Sequence, residues 1–162
     1  MEAWVTDVPN HYTRRITPLN LRFDLAMRGA LGIGSRLNEL DEEELAEYAN
    51  YIAFYKRIRH IIQDGELYRL EREEEFGASV WQYVLPDQSE AVYSVAVGTY
   101  LMGSFRPASP LKNLSAKATY SLMDRHNFEV HRATGYELMT LGVPGEANQM
   151  AGYGRTLHLK QI

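Results

Sequence analysis

Apolar residues return every three or four positions between Asp41 and Gln63, and beyond Gly65 they recur in short strand-like runs. That change of period divides the chain into a helical first part and a β-rich second part. Asp41 and Glu44 have the spacing of a capping box, with aspartate in place of the usual Ser or Thr, and Gly65 stands where the helix can end. The apolar stripe expected on this helix is Leu45, Tyr48, Ile52, Tyr55, Ile58 and Ile62. Upstream, Thr17-Pro18 predicts a helix start with Thr17 as the cap, followed by Leu21, Leu25 and Met27 up to Gly29. Ala30 to Gly34 is too short for another helix and suits a buried strand.

Strand-like segments follow at Leu67–Leu70, Ser79–Leu85, Ala91–Met102, Ala118–Met123 and Tyr153–Leu159. Pro86 to Ser89 predicts a hairpin turn, and Phe105 to Leu111 a proline-containing connection. These strands suggest an antiparallel sandwich, an architecture of about 100 residues. The helix–strand–helix start is incomplete by comparison, because one strand flanked by two helices leaves both its edges open.

Composition narrows the chemistry. A chain of 162 residues with 45% apolar content can build a core. It has no cysteine, which excludes disulfides, thiolate metal sites and cysteine nucleophiles. A net charge of -4 argues against a broad phosphate-binding face, so no nucleic-acid partner is expected. No run reaches the about 20 apolar residues of a membrane span, and the N-terminus lacks a signal-peptide layout. The expectation is a soluble, cytoplasmic chain with no membrane partner.

The stretch Trp4-Val5-Thr6-Asp7-Val8-Pro9-Asn10-His11, then Thr13-Arg14-Arg15-Ile16-Thr17-Pro18-Leu19 and Arg22 to Ile33, resembles glycoside hydrolase family 36, a clan of bacterial α-galactosidases. Leu40 to Leu45, Tyr51 to Arg59, Gly65 to Leu70 and the ending Gly154 to Lys160 extend the resemblance. It is strong to residue 70 and loose afterwards. Tyr12 stands where the family often has glutamine, and Trp4-Val5-Thr6 where it often has His-Val-Ser, which leaves subgroup and preferred oligosaccharide open. The resemblance implies an α+β chain in which residues 1–65 are the helix–strand–helix remnant of a (β/α)8 barrel and 66–162 an antiparallel β-sandwich. It also implies a relation to enzymes that hydrolyse terminal α-galactosides with retention, and no cofactor or metal.

The family's catalytic aspartates lie in motifs upstream of the matching region, so no catalytic residue is carried over. Retaining hydrolysis needs two carboxyl groups about 5–5.5 Å apart. Asp7 and Asp24 are weighed as candidates and read instead as a loop residue and as a helix residue that makes a structural pair or faces solvent. Substrate-side contacts are expected from Trp4 and His11, because the matching family segment is a loop on the catalytic face of the barrel. The acidic runs Glu42–Glu44 and Glu71–Glu75 read as a helix start and a solvated strand end.

His126 and His131 could meet across a bend, but the five histidines form no recognised metal pair. Ser35 lacks a nucleophile elbow, and Gly29, Gly32 and Gly34 read as packing glycines. Trp81, Tyr83, Tyr93 and Tyr100 could form a sugar platform, although alternating aromatics in strands are more often core.

Two functions follow. The first is a noncatalytic C-terminal fragment of a retaining α-galactosidase, meeting α-galactosides only in the full-length context and serving structure or assembly. The second is a free carbohydrate-binding or protein-interaction module. A partial barrel leaves surfaces that the missing barrel portion or self-association would cover, so an oligomer is expected.

Overall fold

The computed structural model describes residues 2–71, 77–98, 108–145 and 150–162. The expected acidic run beyond Glu71, Tyr100, the end of the strand predicted to Met102 and the start of the Phe105–Leu111 connection lie outside them. The chain is α+β. Strand β1 (Glu2–Val5) is followed by helix α1 (Leu19–Ala26), strand β2 (Ala30–Ile33), a 3-10 turn (Leu37–Glu39) and helix α2 (Glu42–Asp64). Then come β3 (Glu66–Glu71), β4 (Ala78–Val84), β5 (Glu90–Val97), β6 (Thr119–Met123), β7 (Glu129–Thr134), helix α3 (Gly135–Leu141) and β8 (Gly154–Gln161).

β1 and β2 run parallel, with Trp4 opposite Gly32 and Val5 opposite Ile33. A parallel pair needs a crossover, and α1 supplies it. The strand β1, absent from the sequence reading, thus gives β2 a partner on one edge. The remaining strands form one antiparallel sheet in the order β3-β4-β5-β8-β6-β7. The last strand in sequence is therefore central, clamped between β5 and β6.

Side chains alternate along β4, β5 and β8, and each face builds its own core. Val80, Val84, Tyr93, Val95, Tyr120, Leu122, Leu157 and Leu159 belong to one cluster. Trp81, Tyr83, Val92 and Ala96 point the other way and pack with Phe23 and Met27 of the α1 region and Phe54 and Ile58 of α2. This second core crosses residue 65, so the helices and the sheet share one apolar interior.

Among the described residues no second sheet forms the other layer of the expected sandwich. The first face is closed by Leu111, Leu114, Leu138 and Val143. The segment around Lys112 spends its backbone groups on other partners: Gln82, fully buried, donates to Lys112 O at 3.0 Å and accepts from Lys112 N at 2.8 Å. Leu111 N donates to Leu138 O of α3 at 3.0 Å. A segment satisfied by side chains and a helix has no need of a ladder.

The capping box of α2 forms as its spacing predicts: Glu44 N donates to Asp41 Oδ1 at 2.8 Å, and Asp41 N donates to Glu44 Oε2 at 3.3 Å. The buried face is rotated from the expected one, to Tyr48, Tyr51, Phe54, Ile58, Ile61 and Ile62, while Leu45 is 39% exposed. Apolar residues cover a wide arc of this helix, and the sheet selects the part that faces it. Gly65 ends α2 in extended backbone, where a Cβ would lie 2.3 Å from Ile61 O. At α1 the expected Thr17 cap is corrected: Pro18 holds the cap position, no side chain caps the helix, and Pro18 O accepts from Arg22 N at 3.1 Å.

Helix α1 docks on β8 through a polar contact inside the apolar core. Asp24 is 3% exposed, and Thr156 Oγ1 donates to its Oδ1 at 2.7 Å while accepting from Ser94 Oγ at 3.1 Å. Ser94 and Thr156 are direct register partners. A Cβ at Gly154 would stand 2.8 Å from Asp24 Oδ2 and 2.9 Å from Leu21 Cα, so glycine there sets the closeness of helix and strand. Thr156→Val keeps the shape and removes the hydroxyl that bridges Ser94 to the buried carboxyl. The expected cost is about 1–3 kcal/mol in urea unfolding.

A second clasp joins α2 to the sheet. His158 Nε2 and Glu90 Oε2 are 2.6 Å apart, with His60 of α2 3.7 Å from the same oxygen. Burial pushes the His158 pKa down, against the raising effect of Glu90 and with smaller lowering effects from His60 and Lys160. The unfolded chain then takes up a proton that the folded chain resists, so stability falls as pH drops below about 6.5 and levels off below the folded value. Thermal melts from pH 7.5 to 5 are expected to show this decline, and His158→Gln to flatten it.

Candidate functional site

The parallel unit carries its loops at the C-terminal ends of β1 and β2. Ala3 and Val5 turn toward the helices, Val5 being fully buried with them. Alternation then puts Trp4 on the opposite face, where it is 61% exposed. Its indole lies flat across Gly32: a Cβ there would meet the ring at 2.7–3.0 Å. Gly32 was read from sequence as a packing glycine, and the indole is what it packs against.

Both loops are fastened to the scaffold. Gly34 N and Ser35 Oγ donate to Val5 O at 2.8 and 3.1 Å, and Ser35 Oγ lies 2.8 Å from Tyr48 Oη of α2. Arg22 Nη1 of α1 donates to Thr6 O at 2.6 Å. Asn10 shapes the first loop from within, its Oδ1 accepting from Tyr12 N, Thr13 N and Thr13 Oγ1, and its Nδ2 donating to Thr6 Oγ1.

Asp7 links the two loops. Its Oδ1 accepts from Arg36 N and its Oδ2 from Arg36 Nε, both at 2.8 Å. These bonds, the backbone one foremost, hold its carboxyl below the usual carboxylate range. Both oxygens are occupied by donors and the group is held ionised, which suits a brace and opposes the role of proton donor.

Between the first loop and α1 lies an open cleft of about 320 Å³, bordered by Trp4, Asp7, Asn10, Arg15, Arg22 and Arg28 among others. It combines an aromatic face with several hydrogen-bond donors, the ingredients for holding a polyhydroxylated ligand. Among the described residues Asp7 is the one carboxylate on its rim. Of the residues expected at the substrate side, Trp4 borders the cleft. His11 is exposed outside that border, its ring edge-on to Tyr12 at 5.2 Å. Asp24 sits in the core instead, and Trp81, Tyr83 and Tyr93 are buried side chains of the sheet.

Among the described residues no group of three or more His, Asp or Glu is placed to hold a metal ion. Also among them, no helix is long and apolar enough to cross a membrane. Sequence reasoning missed Asn10, Arg15, Arg22, Arg28 and Arg36. Asn10 sits one residue past proline in a polar loop, a turn signal that was available. The Asp7–Arg36 pair spans two loops and leaves no local pattern.

A parallel β-α-β unit whose strand ends carry braced loops is followed by an antiparallel sheet, an α+β arrangement. Residues 1–65 match the Melibiase family. The chain is 33% identical over 143 residues to α-galactosidase AgaA of Geobacillus stearothermophilus, covering 88% of this chain and 19% of that one. It is 36% identical over 95 residues to α-galactosidase Mel36A of Lactobacillus acidophilus, covering 59% of this chain and 13% of that one. A solved structure of a GH36 α-galactosidase AgaA variant from G. stearothermophilus, in complex with raffinose, superposes with a TM-score of 0.87. It is 28% identical and covers 100% of this chain and 22% of that one. The chain spans about a fifth of the length of these two full relatives or less, and it resembles a C-terminal part of a glycoside hydrolase family 36 α-galactosidase.

The flat stacking of Trp4 on Gly32 is open to direct test. In a Trp81→Phe background Trp4 is the only tryptophan, since the chain has two. Gly32→Ala is expected to lift the indole off β2 and raise its acrylamide quenching, with global stability changed by about 1 kcal/mol or less.

Proposed function

We propose that this chain is the C-terminal part of a retaining α-galactosidase, supplying the last two β/α units of its (β/α)8 barrel and the antiparallel domain behind them. The observation that carries this reading is the parallel β1-α1-β2 unit with its loops gathered at the strand ends. Active sites of such barrels lie at that end of their strands. On this reading residues 1–65 belong to the barrel and 66–162 to the domain that buttresses it, and Trp4 offers an apolar face to the terminal sugar.

The chain alone does not hydrolyse α-galactosides. Retention requires a nucleophile and an acid within about 5–5.5 Å of each other. Among the described residues the cleft offers one carboxylate, Asp7, and it is already bonded to Arg36. Catalysis then depends on carboxylates from chain beyond these residues, and the role of this part is to position loops and to support assembly. The raffinose complex of the relative makes raffinose-type α-galactosides the substrate class to test.

The test is p-nitrophenyl-α-galactoside hydrolysis by the purified chain, beside calorimetry with galactose and raffinose. No turnover and no heat is the expected result. Turnover that follows the protein through every purification step would overturn the noncatalytic reading. Sugar binding without turnover would instead favour a carbohydrate-recognition module, with the exposed Trp4 as its platform.

A further inference from the structure

The loop after β1 presents the most exposed large apolar side chain among the described residues: Tyr12 is 91% exposed. A single apolar side chain on a surface is ordinary. This one stands on backbone that the loop itself holds in place. Asn10 N donates to Arg15 O and Arg14 N to Asn10 O, both at 2.9 Å, which closes a tight turn around it. Arg14 takes left-handed backbone, with φ at 58°, to complete that turn. From inside, Asn10 Oδ1 accepts from Tyr12 N at 3.1 Å and from Thr13 N at 2.9 Å. The His11 ring stands perpendicular to the Tyr12 ring, with 5.2 Å between centroids, and limits its swing. The tyrosine is therefore offered to solvent from a fixed stretch of backbone, which lowers the ordering cost of anything that binds it.

The turn adjoins the cleft. Asn10 and Thr13 both border the cleft, and Tyr12 lies between them in sequence while staying outside the border. Among the described residues Trp4 is the one aromatic on that border. One aromatic side chain at the cleft and a second just beyond it suit a ligand of more than one ring, with the terminal ring inside and the next ring outside. A tyrosine has a flat apolar face and a polar tip, which match the C–H face and the hydroxyls of a pyranose.

We propose that Tyr12 forms a subsite for the second sugar of an α-galactoside, the ring attached to the terminal galactose. This rests on the reading of the chain as part of an α-galactosidase and deepens it, by naming a residue that sets preference for oligosaccharides over simple galactosides. Trp4 faces the terminal ring, Tyr12 stacks on the ring that leaves, and His11 supports Tyr12 without touching the sugar. Binding energy from that remote ring is used at the bond being broken, so the subsite is read in kcat/KM and not in affinity for galactose.

The test compares raffinose, which carries a second ring, with α-galactosyl fluoride, which carries none, on the full enzyme that includes this chain. The quantity read is the ratio of the two kcat/KM values. Tyr12→Ala is expected to lower the ratio of raffinose to fluoride about three- to tenfold, the size of one aromatic stack. Tyr12→Phe keeps the flat face and is expected to hold the ratio within about twofold of the parent, whereas Tyr12→Leu, apolar but not flat, falls with Tyr12→Ala. Because the side chain is exposed, circular dichroism and thermal melts of the variants are expected to match the parent. A ratio that Tyr12→Ala leaves within about twofold of the parent overturns the subsite while the α-galactosidase reading stands. So does an equal loss on both substrates, the mark of a loop with a structural role alone, or a Tyr12→Phe variant as poor as Tyr12→Ala. A parent enzyme that turns over neither substrate overturns the α-galactosidase reading and the subsite with it.

Discussion

A buried aspartate holds the two parts of this chain in one body. Asp24 sits on α1 and Thr156 on β8, 132 positions apart, with Ser94 of β5 completing the relay. Taking a carboxyl out of water costs several kcal/mol unless donors replace the water, and the Thr156 hydroxyl is one such donor. The position is enforced from below as well, since Gly154 lets α1 come closer to β8 than any residue with a Cβ would allow. Apolar packing alone is non-directional and would tolerate sliding of α1 over the sheet. The polar contact fixes its register.

Much else is set by that register. α1 is the crossover between β1 and β2, so its place on the sheet decides where the parallel pair stands. Arg22 lies two residues before Asp24 on the same helix and fastens the loop after β1 through Thr6 O, while Tyr48 of α2 lies within reach of both Arg22 and Ser35. Tyr83 Oη donates to Arg28 O at 2.7 Å and Tyr55 Oη to Gly29 O at 2.8 Å, tying the turn between α1 and β2 to β4 and α2. The cleft beside Trp4 is thus shaped by contacts that originate in the sheet.

What the sequence revealed was local. The capping box at Asp41, the turn over Pro86 to Ser89, where Gln88 N donates to Leu85 O, and the strand expected from Ala91, which begins at Glu90, are signals carried within a few residues. A second capping box was equally local, Thr134 with Glu137, but the helix it starts is only seven residues long and too short to show a period. β1 escaped for a related reason, because four residues display too little alternation to separate strand from loop. The rotated face of α2 was not legible, since a wide apolar arc leaves the choice within it to the sheet. Asp24 illustrates the limit most clearly: nothing in its own surroundings distinguishes a solvent-facing aspartate from one that meets a threonine near the other end of the chain.

The same division applies to the site. Trp4 and His11 were expected together through a family resemblance, because the two sit in one motif. In three dimensions the strand and the loop separate them: Trp4 is the last but one residue of β1 and is oriented by the pleat, whereas His11 lies beyond Pro9 in a loop that Asn10 folds back on itself. A strand residue lying over a glycine is held more rigidly than an exposed loop side chain. Asp7 follows the same logic in reverse. Its two bonds to Arg36 give the loops a fixed relation and hold the carboxyl below the usual carboxylate range. The cleft is therefore built for position, and on the reading proposed above the reacting groups come to it from elsewhere in the enzyme.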